Sequence, residues 1–244
     1  MARQNLKAGV LTAPLPPVMV TVGDMEKSNI ITIGWTGILS TNPPRTYISV
    51  RPQRHSYGML IERGEFVINL TRAEQARIVD YVGIYTGAKI DKFKATGLTA
   101  TDSKEVSTPT IAECPLALEC RVIDRVPSGT HDVFVAEIVN VSVDEQILDA
   151  DGKICLDKAG LLAYCHGEYF ALGEKLGKFG FSTAKKKSSG ENPTGKKGTT
   201  GEKTKSKEKT AKAGRVKNGA KATNAKAKTG PKPPFKVKRK GGKK

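Results

Sequence analysis

A dense group of cationic and polar side chains lies between residues 51 and 56 of this 244-residue chain. Two guanidinium groups, those of Arg51 and Arg54, are followed at once by the imidazole of His55 and the hydroxyl of Ser56. Guanidinium groups bind phosphate through paired hydrogen bonds, and this spacing favours a phosphate monoester as the ligand. A solvated basic turn without a ligand is the alternative that the spacing alone leaves open.

An aromatic and hydroxyl-rich segment precedes this group. The only tryptophan, Trp35, is followed by small and hydroxyl residues up to a Pro43-Pro44 corner. We expect Trp35 to lie on a strand, and Tyr47 and Ser49 to share one face of the next strand because strand side chains alternate with a period of two. Residues 29–56 therefore predict a site for a phosphate and a ring, although a core position for Trp35 is the alternative.

Short β-branched runs bounded by turn residues dominate the first 180 residues and predict strands. Helical patterns are few: Ser56 is placed to cap a helix that stops at Gly64, and Thr71 to cap a helix over residues 72–82 that stops at Gly83. Many strands with few short helices indicate a mainly β barrel, and no G-x-G-x-x-G motif or βαβ alternation points to a Rossmann fold. The expected strands cover residues 18–22, 30–33, 47–50, 66–70, 116–126 and 132–143.

Charge divides the chain into two parts. Residues 1–180 hold 19 Lys and Arg against 21 Asp and Glu, a net charge of −2, whereas residues 181–244 hold 22 against three, a net charge of +19. The C-terminal part has Phe235 as its single aromatic residue beyond Phe181, too little apolar surface to offset the entropy lost on ordering. We therefore expect a folded domain over residues 1–181 and a disordered, lysine-rich tail over residues 182–244.

The four cysteines and the apolar runs limit the class of protein. Cys114, Cys120, Cys155 and Cys165 form no C-x-x-C pair and no zinc-site spacing, so we expect buried reduced thiols and no metal site. Prolines interrupt the N-terminal apolar stretch, and no apolar run reaches the roughly 20 residues that span a bilayer. The sequence predicts a cytoplasmic protein without a membrane partner.

Several short motifs, taken in their order and spacing, resemble the flavin reductase-like domain family, and within it the flavoredoxins. The resemblance covers about residues 10–180 and leaves the basic tail outside. Its motifs are Ser28-Asn29, Gly34-Trp35-Thr36, residues 42–44, residues 48–57, residues 64–70, Asp91-Lys92-Phe93, residues 129–132, residues 164–173 and residues 176–182.

The resemblance implies an FMN-binding split β-barrel that forms a homodimer and acts as an NAD(P)H-dependent flavin reductase-like oxidoreductase. FMN would take hydride from transiently bound NADH or NADPH and pass electrons to an acceptor that the sequence does not identify. The resemblance places one set of residues around the isoalloxazine ring of FMN and another set along its ribityl chain and phosphate. The first set is Asn29, Trp35, Ser56, Lys92, His131 and Tyr164, and the second includes Thr36, Ser40, Thr41, Arg51 and Arg54.

The chemistry of flavin reduction explains these residue types. A flavin that accepts hydride at N5 gains negative charge near N1 and the C2 carbonyl, which a nearby cation or amide donor stabilises. Lys92 and His131 are the candidate donors. From the sequence alone, Lys92 is equally explained as a solvated helix-end lysine, His131 as a histidine at a strand entrance, and Asn29 as a turn residue.

Two other functions stay open at this point. One is an FMN electron carrier that does not turn over NAD(P)H. The other is non-specific binding of nucleic acid or another polyanion by residues 182–244, because a net charge of +19 gains free energy from counterion release. A solvated tail without a specific partner is the alternative explanation of that charge.

Overall fold

A computed structural model describes residues 2–183 of the chain, and antiparallel strands form most of it. Its strands are β1 (Val18–Gly23), β2 (Ser28–Ile33), β3 (Thr36–Thr41), β4 (Pro44–Val50), β5 (Glu65–Asn69), β6 (Ala100–Thr101), β7 (Thr110–Ile111), β8 (Leu116–Ser128), β9 (His131–Val143), β10 (Leu162–Cys165) and β11 (Glu168–Ala171). Seven of them form one sheet in the order β2-β1-β5-β8-β9-β4-β3. Two small sheets, β6 with β7 and β10 with β11, complete the set.

Helices are few and short, as the sequence predicts. Over the described residues they are α1 (His55–Arg63), α2 (Ala76–Ile84) and α3 (Lys92–Thr96), with 3₁₀ turns at Ala73–Gln75, Glu145–Ile147, Leu156–Lys158 and Phe181–Thr183. The expectation of a mainly β protein with a few short helices is therefore confirmed.

Strand β1 shows how the sheet forms the core. Every residue of β1 is buried, because the strand lies between β2 and β5 and has a packed layer on each face. Val18, Val20 and Val22 join the cluster that contains the fully buried Phe66 and Phe134. Alternate residues point the other way, and Met19 packs in the cluster beneath α2. The sheet thus supports α2 and the loop after it on one side.

Both predicted helix starts are wrong. Ser56 lies inside α1, whose N-cap position is Arg54, and its hydroxyl accepts a hydrogen bond from Asn29 Nδ2 at 2.8 Å. Thr71 caps no helix, since its hydroxyl donates to the carbonyl of Pro17 and a 3₁₀ turn precedes α2. Gly83 does not end α2, which continues to Ile84.

The segment around the tryptophan differs from the expectation in one respect. Trp35 lies in the bend between β2 and β3 and not on a strand. The alternation expected for β4 is confirmed, because Ile48 and Val50 are buried while Tyr47 and Ser49 are partly exposed on the other face. The Pro43-Pro44 corner joins β3 to β4 as expected.

The cysteines are less uniformly buried than the sequence suggests. All four are free thiols, but only Cys114 and Cys120 are buried, whereas Cys155 and Cys165 are half-buried near the chain surface. Burial raises the pKa of the Cys114 thiol to about 12. Residues 184–244 of the predicted tail lie outside the described residues.

Residues 2–183 contain neither a membrane-spanning helix nor a cluster of metal-binding side chains. No helix within residues 2–183 is long and apolar enough to cross a membrane. Over the same residues, no group of three or more His, Cys, Asp or Glu side chains is arranged to hold a metal ion.

Candidate functional site

Three segments distant in sequence meet at the carboxyl end of β4. Strand β4 pairs with β3 on one side and β9 on the other. The Trp35 carbonyl accepts a hydrogen bond from the Ser49 amide at 3.0 Å, and Val50 pairs with Asp132, the neighbour of His131. Because Arg51 follows directly after β4, the sheet brings the predicted tryptophan, histidine and arginine to one place.

The loop after β4 carries a cationic helix terminus. The Arg54 amide bonds to the Arg51 carbonyl at 3.0 Å, and α1 begins one residue later. Arg54 has extended backbone angles and makes no side-chain cap hydrogen bond. The first N–H groups of a helix have no partner within the helix and lie at the positive end of its dipole. Two guanidinium groups beside such a terminus form a surface suited to an anion.

Trp35 and His131 form an aromatic pair beside this terminus. Their ring centroids are 4.5 Å apart with the planes inclined at 46°. His131 Nε2 accepts a long hydrogen bond from Arg51 Nε at 3.4 Å, and its Nδ1 lies 2.9 Å from the Thr130 hydroxyl. Burial lowers the pKa of His131, and the charges of Arg51 and Arg54 lower it further. The lowered pKa favours the neutral form of the ring, whose planar surface lies beside Trp35.

An open cleft of about 240 Å³ lies over this pair. Residues of β2 and of the bend that follows line it, together with two arginines and two tyrosines. The lining residues are Pro17, Ile31, Thr32, Ile33, Gly34, Trp35, Ser49, Val50, Arg51, Arg54, Gly83, His131, Tyr164 and Tyr169.

A smaller polar hollow of about 100 Å³ adjoins the cleft and shares Ile31, Arg54 and Gly83 with it. Asn29, Ser56 and Lys92, three residues predicted to surround a ring, line this hollow together. The predicted residues thus lie in two connected compartments, one aromatic and one polar.

Lys92 is the most unusual group of the hollow. It is only 4% exposed, and its Nζ donates to the carbonyls of Ile30 at 2.7 Å and Val82 at 2.6 Å. Burial lowers the pKa of this ammonium to about 8, and the neighbouring Arg54 charge acts in the same direction. The solvated helix-end lysine that the sequence allows is therefore wrong, because the side chain points inward beneath α2.

Asn29 is held in place by its fit against Gly87. A Cβ at Gly87 would lie 2.1 Å from Asn29 Oδ1 and 2.5 Å from its Cγ, so only glycine leaves room for the amide. We predict that Gly87→Ala displaces Asn29 from Ser56 and lowers the free energy of unfolding by about 1–3 kcal/mol. Urea denaturation measures this loss.

The matched control for that change is Gly58→Ala. Gly58 lies inside α1 with open space around the added methyl, so the substitution is expected to stabilise the protein by about 0.5–1 kcal/mol. A Gly87→Ala protein as stable as the wild type, with the Asn29 side-chain amide resonance unmoved, would contradict the packing described here.

Three predicted residues lie outside the cleft and the hollow. Thr36 donates its hydroxyl to the Tyr47 carbonyl at 2.6 Å. Ser40 and Thr41 pair with Arg45 and Pro44 at the far end of β3. Since a strand rises about 3.3 Å per residue, Thr41 lies roughly 16 Å along the strand from Thr36. The strand direction therefore separates Ser40 and Thr41 from the arginines.

Sequence reasoning missed Tyr169 as a lining residue. Tyr169 pairs across β10 and β11 with Tyr164, and the two rings lie 5.4 Å apart in an edge arrangement. The Tyr169 hydroxyl donates to Asp80 at 3.3 Å, and burial together with this carboxylate raises its pKa to about 12. A two-residue turn between the aromatic residues, at His166 and Gly167, is the signal that predicts their pairing.

The arrangement defines a class: a mainly β protein whose sheet presents an aromatic cleft beside a cationic helix terminus. The Flavin reductase like domain matches residues 11–173, and the chain belongs to this family.

Solved structures agree with this assignment. The flavoredoxin of Desulfovibrio vulgaris (Miyazaki F) is 33% identical, with a TM-score of 0.70 over 75% of this chain and all of that chain. An FMN-binding protein from Thermus thermophilus is 27% identical, with a TM-score of 0.62 over 73% of this chain and 97% of that chain. The split-barrel domain of a flavin reductase-type protein from Shewanella frigidimarina is 22% identical, with a TM-score of 0.61 over 68% and 85%. The split β-barrel expected from the sequence is confirmed.

Proposed function

We propose that this protein binds FMN and acts as an NAD(P)H-dependent oxidoreductase that passes electrons to a second acceptor. The observation that carries the proposal is the position of Arg51, Arg54 and the uncapped start of α1 beside the Trp35–His131 pair. A flavin mononucleotide has one phosphate and one planar ring, and the site offers a surface for each. The FMN-binding relative described above supports the same cofactor.

The donor set of the site fits FMN. Arg51 and Arg54 would hold the phosphate together with the free amides of the first turn of α1. Trp35, Tyr164 and the neutral His131 would contact the ring through their aromatic faces. Asn29 and Lys92, in the polar hollow, would face the polar edge of the ring.

The protein's own groups supply position and charge. When bound, FMN supplies the hydride-accepting ring, with NADH or NADPH as the transient donor. Lys92 is held by two carbonyls at a fixed point, so its ammonium would stabilise negative charge without reorganisation. Arg54 bonds the Gly83 carbonyl at 3.1 Å and connects the cleft to α2. No described residue is required as a general base.

The test is to purify the full chain, identify any bound flavin, add FMN, and mix anaerobically with NADH and with NADPH. We expect stoichiometric FMN with quenched fluorescence and bleaching of its visible absorbance by one or both nucleotides. A colourless protein that leaves FMN fluorescence unchanged would end the proposal.

The carrier alternative is separated in the same experiment. Rapid bleaching of the bound flavin by a nicotinamide nucleotide favours the reductase. Bleaching by a reduced partner protein alone favours an FMN electron carrier.

An NAD(P)H-dependent activity and four free thiols also fit the cytoplasmic location that the sequence predicts.

A homodimer is part of the proposal. Large apolar side chains are exposed on the edge strand β3, at Ile38 and Leu39, and at Phe170 and Leu172 in the closing run. Exposed apolar patches on a soluble domain commonly mark association surfaces. Light scattering of the full chain at micromolar concentration tests this assignment, and a monomeric mass would refute it.

The composition of residues 182–244 favours a second, separate function. Twenty-two basic residues against three acidic ones lie beyond residue 180, and we propose that this segment binds nucleic acid non-specifically. Truncation after Ser182 is expected to abolish salt-sensitive retention on DNA while FMN reduction continues. Retention unchanged by the truncation would remove this proposal.

A further inference from the structure

A second cleft shares Trp35 with the cleft that carries Arg51 and Arg54, here called the cofactor cleft. Its volume is about 400 Å³, and it opens between the N-terminal segment of residues 9–15 and strands β3 and β4. Pockets of this size accommodate small organic ligands. Its lining residues are Gly9, Val10, Thr12, Leu15, Trp35, Thr36 and Tyr47.

The lining of this second cleft differs in charge from that of the cofactor cleft. None of its lining residues is Asp, Glu, Lys, Arg or His, whereas the cofactor cleft contains two arginines and a histidine. Trp35 and Tyr47 supply aromatic walls, Val10 and Leu15 supply aliphatic ones, and Thr12 supplies a hydroxyl. Because no opposite charge is present to compensate the desolvation of an ion, this lining favours an uncharged ring with polar substituents.

Three of the lining residues, Leu15, Thr36 and Tyr47, are held by contacts that do not depend on a ligand. Leu15 and Tyr164 exchange two backbone hydrogen bonds, each 2.9 Å long, which fixes the N-terminal segment against β10. The Tyr47 ring lies against Gly37, where an added Cβ would be 3.3 Å from the ring. The hydroxyl of Thr36 ties β3 to the Tyr47 carbonyl. The walls formed by Leu15, Thr36 and Tyr47 are therefore part of the fold, and the exposed N-terminal segment, in which Val10 is 74% exposed, closes the cleft on one side.

Trp35 connects the two clefts. It lines both, its side chain is 38% exposed, and one of its faces is occupied by His131. A ligand in the second cleft would therefore lie within one side chain of the proposed cofactor. This proximity suits a molecule that exchanges electrons with it.

We propose that the second cleft binds an uncharged, quinone-type aromatic electron acceptor. The assignment rests on the proposed function and names the class of acceptor for it. In the complete reaction NAD(P)H and one proton reduce the quinone to its hydroquinone: two electrons leave the nicotinamide, which becomes NAD(P)⁺, and both quinone oxygens gain a proton.

The test uses the full chain with menadione, an uncharged naphthoquinone, as the probe. Trp35 is the only tryptophan, so quenching of its fluorescence reports menadione binding directly, with or without turnover. Thr12→Phe fills the cleft. Leu11→Phe is the matched control, because Leu11 is an exposed neighbour that does not line the cleft.

We expect saturable quenching in the wild type and in Leu11→Phe, and an affinity at least about 10-fold weaker in Thr12→Phe. The ratio of kcat/KM for menadione to that for the anion ferricyanide should fall by a similar factor in Thr12→Phe only. Equal menadione affinity in all three proteins would overturn the site.

Two further results distinguish the competing explanations. Loss of a dimer in Thr12→Phe, with no menadione quenching in the wild type, would assign the cleft to a second copy of the chain and overturn the proposal. Tight menadione binding in a protein that NAD(P)H cannot reduce would refute the proposed function, while the binding site itself would stand.

Discussion

Replacing Arg51 and Arg54 together by alanine is expected to weaken FMN binding at least about 100-fold. Each hydrogen bond to a charged group contributes about 1.5–3 kcal/mol, and the double change removes both guanidinium groups proposed to hold the phosphate. Arg51 has His131 as its one side-chain partner among the described residues, at a long 3.4 Å, so its loss should cost little stability. Titration of FMN fluorescence against each protein measures the change.

Arg45→Ala is the control for charge. Arg45 is an exposed arginine on β4, and its removal changes the net charge without touching the cleft. Riboflavin, which lacks the phosphate, supplies the second comparison: its affinity should be nearly equal in the wild type and the double variant. If the double variant binds FMN as tightly as the Arg45→Ala protein does, these arginines do not hold the phosphate.

The stability of the protein should depend on pH through Lys92. The pKa of this group is about 8 in the folded protein and about 10.5 in the unfolded chain, so the unfolded chain binds more protons between these values. Stability therefore rises with pH in that window, by up to about 1.4 kcal/mol per pH unit. Relative to Lys92→Met, the wild type should gain on the order of 3 kcal/mol between pH 7.5 and 10.5.

Taking the difference between two proteins cancels the titration of the other groups. Urea denaturation at a series of pH values gives the free energies. Lys94→Met is the matched control, because Lys94 lies on the same helix with its side chain 88% exposed. The free energy of unfolding of Lys94→Met should rise with pH relative to that of Lys92→Met, as the free energy of the wild type does. A difference that does not change between pH 7.5 and 10.5 would contradict the burial of Lys92.

Local patterns were sufficient for six of the eleven strands, β1, β2, β4, β5, β8 and β9, and for the charge boundary. The alternating residues of β4 predict that one face of this strand is buried, and the continuous apolar run of β1 predicts that both faces are buried. Both burial patterns are observed. The positions at which the helices begin could not be predicted from local patterns. Ser56 has the residue type of a cap, but its hydroxyl bonds to Asn29, which lies 27 residues earlier in the chain. A local rule cannot anticipate a long-range partner.

The site shows the same difference between local features, which the sequence reveals, and long-range contacts, which it does not. Types and spacing in residues 51–56 pointed to phosphate chemistry because guanidinium groups and a helix start are local features. The neutral form of His131 was not visible in the sequence, since it depends on burial and on Arg51, 80 residues away. The inward orientation of Lys92 was not visible in the sequence either, because its ammonium donates hydrogen bonds to carbonyls on β2 and α2.

Residue types and their spacing were enough to predict a mainly β domain, a sharply basic C-terminal segment, the family, and the side chains available for a phosphate and a ring. Strand pairing in the folded chain brings Trp35, Arg51 and His131 to one end of β4 and leaves Ser40 and Thr41 far along β3. The fold also makes Trp35 a shared lining residue of a cationic cleft and an uncharged one. Residue type and strand period are local properties, whereas proximity, burial and protonation depend on which strands pair.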